Sequence, residues 1–209
     1  MAESMTLEKS DHEVVAGNVY DKYNTANPVY RYLVNGYFNN LTSLFNRVKP
    51  QRVLEVGCGE GHMTDFGRKR LPGSWISGLD ISHRIVADAS HAYPQISFVC
   101  ASAYDLPFED GQFDLVLALE ALEHMEDAER AVVEMCRVAD PYVIASVPQE
   151  PVWRVLNFLR GAYVSDWGNT PGHVRHWSRR GFMSLLESNF EIEEVLSPFP
   201  WTMALCRRT

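Results

Sequence analysis

The sequence contains no long apolar run and no excess of positive charge. No stretch reaches the roughly twenty apolar residues that a membrane-spanning helix requires, and residues 1–12 are polar and mixed in charge, unlike a secretory leader. Acidic residues outnumber basic ones by 27 to 19, which gives a net charge of −8 at pH 7. Long-range electrostatics therefore oppose binding to nucleic acid or to an anionic membrane. We expect a cytoplasmic protein that has neither of these as a partner.

Cysteine is scarce as well, and the four thiols are far apart: Cys58, Cys100, Cys136 and Cys206. No two of them have the spacing of metal ligands, and each lies among apolar residues. This pattern is typical of buried thiols in a reducing compartment.

The length of 209 residues is that of one domain. We expect residues 1–12 to be disordered and residues 13–209 to form a single domain. Strands and helices alternate along most of the chain, which predicts a parallel sheet with right-handed crossovers and helices on both faces. The last two strands are joined too closely for a crossover, so we predict an antiparallel hairpin there. The predicted strands are 52–56, 75–79, 96–101, 113–119, 142–147, 190–196 and 202–207, and the predicted helices are 30–48, 62–71, 82–93, one that opens at Asp127, 152–159 and one that contains Phe182, Leu185 and Leu186.

Three alternating glycines follow the first predicted strand: Gly57, Gly59 and Gly61. Glycine adopts a positive φ and lets the backbone approach a ligand closely. Because a helix follows, the loop should lie at a helix N-terminus above the carboxyl end of a strand, where open α/β sheets bind nucleotide-like ligands. Asp80 ends the next strand, where its carboxylate can accept hydrogen bonds from the two ribose hydroxyls of an adenosine.

The spacing of these glycines separates two cofactors. Dinucleotide-binding proteins use G-x-G-x-x-G, which packs a pyrophosphate against the helix end. Here the pattern is G-x-G-x-G, with Glu55 before it and Glu60 inside it. Two carboxylates would repel a pyrophosphate, but they suit the cationic sulfonium and ammonium groups of S-adenosylmethionine. With the acidic strand end and the order of the later segments, the chain resembles the class I S-adenosylmethionine-dependent methyltransferases. The alternatives are an incidental glycine-rich turn in another α/β protein and a nicotinamide-dependent oxidoreductase.

The resemblance covers roughly residues 50–207 and implies a doubly wound, Rossmann-like α/β fold with helices on both faces. Its seven-stranded sheet would have five parallel strands plus a C-terminal antiparallel hairpin. The cofactor would be S-adenosylmethionine and the product S-adenosylhomocysteine. In the family, an Asp after the third strand accepts from the adenine amino group; here that position is Ser102, a departure that leaves a neutral hydroxyl as acceptor. The cofactor-binding residues that the resemblance implies are Glu55, Gly57, Cys58, Gly59, Gly61, Asp80, Ile81, Ser102, Ala103 and Glu120.

Methyl transfer requires a nucleophile held in line with the methyl carbon, about 3 Å away, and a hydroxyl nucleophile also needs a base. His124 follows the strand end nearest the expected methyl position, and His173 follows the fifth strand, so we predict that one of them accepts the proton. Either could instead be a hydrogen-bonded structural residue. Glu120-x-x-Glu123-His124 with the later His173 also resembles the metal site of the small-RNA 3′-end 2′-O-methyltransferases and the ubiquinone-pathway O-methyltransferases. The same pattern occurs in metal-free relatives, so the sequence leaves a divalent metal undecided.

Residues 148–177 are rich in aromatic side chains and too long for a simple connection, so we expect this insertion to cover the substrate. The resemblance implies that residues 13–50 form a helical lid opposite it. The predicted substrate contacts are Tyr20, Tyr23, Trp153, Trp167 and His176. Each aromatic residue could instead belong to the core, but together they favour a mostly apolar, moderately large substrate.

We therefore expect an S-adenosylmethionine-dependent methyltransferase that acts on a small-molecule metabolite at oxygen, with nitrogen and carbon as less favoured acceptor atoms. An RNA or protein methyltransferase is the runner-up, and the acidic composition argues against it. A non-catalytic partner that only binds the cofactor is a third interpretation, which the intact glycine loop disfavours. The sequence does not separate a monomer from a homodimer.

Overall fold

The structure is a computed structural model that describes residues 27–159, 167–170 and 172–209. The expected disordered N-terminus, Tyr20 and Tyr23 lie outside the described residues. The strands are Arg52–Val56 (β1), Trp75–Asp80 (β2), Ser97–Cys100 (β3), Phe113–Leu119 (β4), Ala139–Pro148 (β5), Phe190–Leu196 (β6) and Trp201–Arg208 (β7). The helices are Pro28–Val48 (α1), His62–Arg70 (α2), His83–Ala92 (α3), Ala128–Val138 (α4), Val152–Leu159 (α5) and Arg179–Glu187 (α6), with a 3-10 turn at Leu122–His124.

All seven strands form one sheet in the order β3-β2-β1-β4-β5-β7-β6. Strands β1 to β5 pair in parallel, and β7 lies antiparallel between β5 and β6. The predicted α/β fold, with five parallel strands and a C-terminal hairpin, is confirmed. The strand order reverses between β1 and β4, and such a reversal opens a crevice at the carboxyl ends of the two strands.

Helices cover both faces of the sheet because the strands carry apolar side chains on both sides. On one face, α4 and α6 pack against β1, β4 and β5. On the other face, α1 and α2 pack against β1, β4 and β7. The largest fully buried side chains are Trp201, Phe45, Phe113, Phe182, Leu41, Leu44, Leu54, Leu79, Leu115, Leu117, Leu122 and Met135.

Helix α1 begins two residues earlier than the periodicity predicts because its start is well capped. The side chain of Asn27 accepts hydrogen bonds from the amides of Val29 and Tyr30, and Pro28 is the first helical residue. The hydroxyl of Tyr37 is 2.7 Å from that of Ser146, near the carboxyl end of β5. Because an α-helix rises about 1.5 Å per residue, the first residue of α1 lies roughly 13 Å from Tyr37 along the helix axis. It lies at the end of the helix opposite the connection to β1. This end of α1 is therefore on the same side of the sheet as the carboxyl end of β5.

Strand β5 is longer than predicted, starting at Ala139 instead of residue 142. An Asp-Pro pair usually marks a turn, but here Asp140 and Pro141 lie within the strand. Phe113 of β4 pairs with Ala139, and Leu115 pairs with Tyr142, so the pairing register shifts between these two pairs. This irregularity accommodates Asp140 and Pro141 without ending the strand. No helix among the described residues is long and apolar enough to cross a bilayer.

Candidate active site

The glycine loop after β1 is built as its spacing predicts. Gly57, Gly59 and Gly61 all have positive φ, at 74°, 51° and 81°. The amides of Gly57 and Cys58 donate to the carbonyl of Leu79 at 2.8 and 2.9 Å, which ties the loop to the end of β2. A Cβ at Gly57 would lie 2.7 Å from the Cβ of Ala121, and one at Gly61 would lie 2.7 Å from the ring of Phe98. The loop therefore needs glycine at these two places because neighbouring segments approach the backbone.

Gly59 differs from its two neighbours because a Cβ there would meet no atom within 4 Å. Its amide donates to Asp80 Oδ2 at 3.0 Å, and the other carboxylate oxygen accepts from the amide of Ser82 at 3.0 Å. The carboxylate of Asp80 is thus fixed at the tip of β2, beside open space. Ile81 follows and is 57% exposed. The structure therefore brings Gly59, Asp80 and Ile81 together at the rim of the crevice.

Glu55 and Cys58 are predicted cofactor residues, and both are buried. Glu55 Oε2 accepts a hydrogen bond from the hydroxyl of Thr64 at 2.5 Å. Burial, opposed by the Thr64 hydrogen bond and assisted by the charge of Asp80, raises the pKa of Glu55 to about 8. At pH 7 its carboxyl is therefore mostly neutral, unlike the charged carboxylate that the sequence suggested. Burial likewise raises the pKa of the Cys58 thiol, so this cysteine is not a nucleophile.

The segment after β3 forms a turn around Ser102. The Ser102 hydroxyl accepts from the amide of Tyr104 at 3.2 Å, and its carbonyl accepts from the amide of Asp105. A hydroxyl has two lone pairs, so this contact leaves one for a further donor. Ala103 lies partly buried in the same turn. The hydroxyl of Tyr104 accepts from the amide of Asp127, which connects the turn to the start of α4.

The chain turns sharply after β4, at Glu120. This residue has a φ of 56°, and its amide donates to the carbonyl of Ser146 at 3.0 Å. Its carboxylate Oε2 accepts from the indole N–H of Trp201 at 2.9 Å. No sequence pattern indicates this role for Trp201, because a tryptophan at the start of a strand carries no spacing signal.

His124 and His173 meet on the other side of this turn. Their rings are 4.9 Å apart between centroids and lie at 83° to each other. His124 Nδ1 is 2.9 Å from the carbonyl of Gly172. Because a carbonyl only accepts, Nδ1 carries the proton and the neutral ring has its acceptor at Nε2. The amides of Val174 and Arg175 donate to the carbonyl of Glu123 at 3.0 and 3.1 Å, which fastens this segment to the 3-10 turn.

Glu123 completes a group of three potential metal ligands. One ligand atom from each of Glu123, His124 and His173 lies within 4.8 Å of the others. Glu123 is buried, His173 is half-buried and His124 is exposed. Glu120, the fourth ligand that the resemblance suggested, is not part of this group among the described residues.

The remaining predicted substrate residues are spread along the segment after β5. His176 Nε2 is 2.7 Å from Asn169 Oδ1. Trp153 donates to the hydroxyl of Thr170 at 3.0 Å and packs against Trp201. Trp167 is 75% exposed and stacks on Phe158. Trp153 is therefore partly a core residue, whereas Trp167 presents an apolar surface to solvent.

Comparison with known proteins gives a consistent result. Residues 54–145 match a family model described as a methyltransferase domain. The chain is 37% identical over 99 residues to norajmaline N-methyltransferase of Rauvolfia serpentina, covering 44% of this chain and 34% of the relative. It is 29% identical over 163 residues to a probable S-adenosylmethionine-dependent methyltransferase of Mycolicibacterium smegmatis, covering 75% of this chain and 58% of the relative. The chain thus spans less than two thirds of the length of these relatives.

A solved structure shows a similar fold over most of the chain. The magnesium protoporphyrin IX methyltransferase of Synechocystis PCC 6803, crystallised with bound SAH, superposes with a TM-score of 0.66. The match covers 88% of this chain and 89% of that one at 17% identity, so it bears on the fold alone.

Proposed function

We propose that this chain is a class I S-adenosylmethionine-dependent methyltransferase and that it transfers a methyl group to an oxygen of a small-molecule metabolite. The observation that carries the proposal is the placement of two groups at the crevice between β1 and β4. The glycine loop and Asp80 lie on the β1–β2 side, and His124, which follows the tip of β4, contacts His173 from the segment after β5.

The residues on the β1–β2 side fit the cofactor. The carboxylate of Asp80 has accepted two backbone hydrogen bonds and retains lone pairs for the two ribose hydroxyls. The absence of any atom near a Cβ at Gly59 leaves room for a ligand against the backbone. Gly57, Cys58 and Gly61 would shape the loop around the methionine end, with Ile81, Ser102 and Ala103 beside the adenine. When bound, S-adenosylmethionine supplies an activated methyl on a sulfonium that is already a good leaving group.

The side chains opposite the loop supply a base. His124 directs its Nδ1 proton at the carbonyl of Gly172, so Nε2 is the basic nitrogen of the neutral ring and the atom that would accept the proton of a substrate hydroxyl. His173, in edge contact with the His124 ring, would orient that ring or receive the proton in turn. An oxygen acceptor is favoured over nitrogen because a hydroxyl, unlike an amine, needs such a base. The N-methyltransferase among the relatives makes nitrogen the alternative acceptor.

A small-molecule substrate with an apolar part suits the surroundings of the crevice. Trp153 and Trp167 lie on the segment that follows β5, and α1 borders the same edge. Aromatic side chains of this kind form the walls of pockets for apolar ligands. We also propose that Tyr20, Tyr23 and His176 contact the substrate. We propose a cytoplasmic location and a monomeric or homodimeric state.

A divalent cation is a second candidate component of the site, because Glu123, His124 and His173 bring their ligand atoms within 4.8 Å of one another. Imidazole and carboxylate ligands suit several divalent metals. A bound cation would supply Lewis acidity toward a substrate hydroxyl. It would also compete with the role of His124 as a base, so the two versions of the site differ in their response to a chelator.

Incubation with methyl-labelled S-adenosylmethionine and a metabolite extract tests the proposed function. We expect mass spectrometry to find a small molecule that gains one methyl group in the presence of the protein. Label that enters only RNA or protein, or no acceptor at all, would contradict the proposal.

A further inference from the structure

Glu120 occupies a backbone conformation that side-chain-bearing residues rarely adopt, with a φ of 56°. Such strain persists only where neighbouring contacts hold it, and it occurs preferentially at functional sites. Glu120 is the first residue after β4, at the reversal of the strand order. Two contacts hold it there: its amide donates to the carbonyl of Ser146, and its carboxylate accepts from the indole of Trp201.

The indole of Trp201 is itself held rigidly, so it can serve as a fixed donor. It is 1% exposed and has edge-on contact with Tyr37 at 5.3 Å between ring centroids. Trp153 packs on it at 5.6 Å. Tyr37 is bonded in turn to the hydroxyl of Ser146. Helices α1 and α5 and strand β5 therefore all fix the position of the N–H that Glu120 accepts.

The conformation of Glu120 determines where the next residues lie. Ala121 follows and packs against the glycine loop so closely that a Cβ at Gly57 would lie 2.7 Å from its own Cβ. The amide of His124 then donates to the carbonyl of Ala121 at 3.1 Å, within the 3-10 turn. A change of φ at Glu120 would therefore move Ala121 on the loop and turn the ring of His124 away from His173.

We infer that Glu120 and Trp201 are positioning residues, whose side-chain hydrogen bond holds the strained turn after β4 so that His124 faces the methyl donor. The inference rests on the proposed function and adds residues that act through His124 instead of on the substrate. It also couples the base to α1, because the donor of this bond is packed against Tyr37.

Four variants test the inference. Trp201→Phe removes the N–H and keeps a ring, Glu120→Ala removes the acceptor, and Glu120→Gln keeps an oxygen that can accept the same bond. Trp75→Phe is the matched control, because Trp75 is a half-exposed tryptophan at the amino end of β2, whereas Asp80 lies at the carboxyl end. Each variant is assayed for transfer of labelled methyl from S-adenosylmethionine into the small-molecule fraction of an extract.

We expect Trp201→Phe and Glu120→Ala to lower kcat about a hundredfold, the effect of displacing a reacting group by roughly 1 Å. The KM for S-adenosylmethionine should stay within about threefold, because the lost bond acts on the chemical step. Trp75→Phe should stay near the wild type, and Glu120→Gln should lose less activity than Glu120→Ala because it keeps an oxygen that accepts the bond. The double variant Glu120→Ala, Trp201→Phe should be no slower than either single variant, since both remove one bond.

A spectroscopic measurement separates this inference from the proposed function. In histidine-labelled protein, the NMR chemical shifts of the His124 ring at fixed pH should change in Trp201→Phe and Glu120→Ala, change less in Glu120→Gln and stay unchanged in Trp75→Phe. This readout needs no acceptor, so it decides the inference even if the wild type methylates nothing. Unmoved His124 signals with a wild-type kcat in Trp201→Phe would overturn it, as would a loss in Glu120→Gln equal to that in Glu120→Ala. If Trp201→Phe does not fold, the comparison of the two Glu120 variants decides.

Discussion

The backbone amide of Gly59 donates a hydrogen bond to the carboxylate of Asp80 at 3.0 Å, across the tips of two neighbouring strands. This bond aligns the one loop glycine that faces open space with the acidic end of β2.

We expect Asp80→Ala to weaken binding of S-adenosylmethionine by about 1–3 kcal/mol, because it removes a charged acceptor for the ribose hydroxyls. Isothermal titration calorimetry measures the change. Asp88→Ala, at an exposed position of α3, is the control and should bind as the wild type does. An unchanged affinity in Asp80→Ala would remove the ribose assignment.

A methyl group at Gly59 should block the cofactor without unfolding the protein. Gly59 and Gly73 both have positive φ, and neither would bring a Cβ within 4 Å of another atom. Gly59→Ala and Gly73→Ala should therefore cost a similar amount of stability, about 1 kcal/mol from the backbone. Only Gly59→Ala should lose affinity for S-adenosylmethionine. Thermal melts and calorimetry on the pair provide the comparison, and equal affinities would show that the space beside Gly59 is not the cofactor site.

Stability should depend on pH through Glu55. Its pKa of about 8 in the folded protein lies above the ordinary value of 4.5, so between these pH values the folded state binds a proton that the unfolded state has released. The free energy of unfolding should therefore fall as pH rises through this window, by at most ~1.4 kcal/mol per pH unit, and level off above it. Glu55→Gln should reduce the slope in urea titrations, whereas Glu187→Gln, at an exposed site on α6, should retain it. Burial also raises the pKa of Glu150, so a smaller slope of the same sign should remain. A slope in Glu55→Gln equal to that of the wild type would assign it to groups other than Glu55.

Removal of the base should slow the chemical step and leave the cofactor bound. We expect His124→Ala to lower kcat by about 10²–10⁴, the usual contribution of a general base. His173→Ala should have a smaller effect, since its ring contacts that of His124 at 4.9 Å. His91→Ala, at the exposed end of α3, is the control. Calorimetry should show that all three bind S-adenosylmethionine normally. Full activity in His124→Ala would show that His124 is not the base.

A chelator experiment tests the cation. If Glu123, His124 and His173 hold a divalent metal, EDTA should abolish turnover, and Mg²⁺ or Mn²⁺ should restore it. Glu123→Gln should then weaken the response to added metal. Turnover that EDTA does not change would show that the reaction needs no divalent metal at Glu123, His124 and His173.

Much of the fold could be predicted because the strong signals are local. Strands β1, β4 and β6 have the predicted bounds, since continuous or alternating apolar residues define them and glycine, proline or polar residues end them. Ser82 and Asp127, at the starts of two predicted helices, accept from backbone amides and so cap α3 and α4. The start of β5 was wrong by three residues because the Asp140–Pro141 pair carries a turn signal that the sheet overrides.

The site could be predicted only where one motif holds it together. Gly57, Gly59, Gly61 and Asp80 are close in sequence or lie at adjacent strand ends, so their meeting follows from the parallel order. The environment of Glu55 could not be anticipated, because its burial depends on how α2 packs over β1. The contact between Glu120 and Trp201 joins residues 81 positions apart, and no local pattern indicates it.

A crystal structure with S-adenosylhomocysteine bound tests the central claim most directly. We expect both ribose hydroxyls within hydrogen-bonding distance of the Asp80 carboxylate, the amino acid end against the glycine loop and the sulfur directed toward His124. Side chains that occupy the position expected for the cofactor, or a cofactor bound away from Asp80, would contradict the claim.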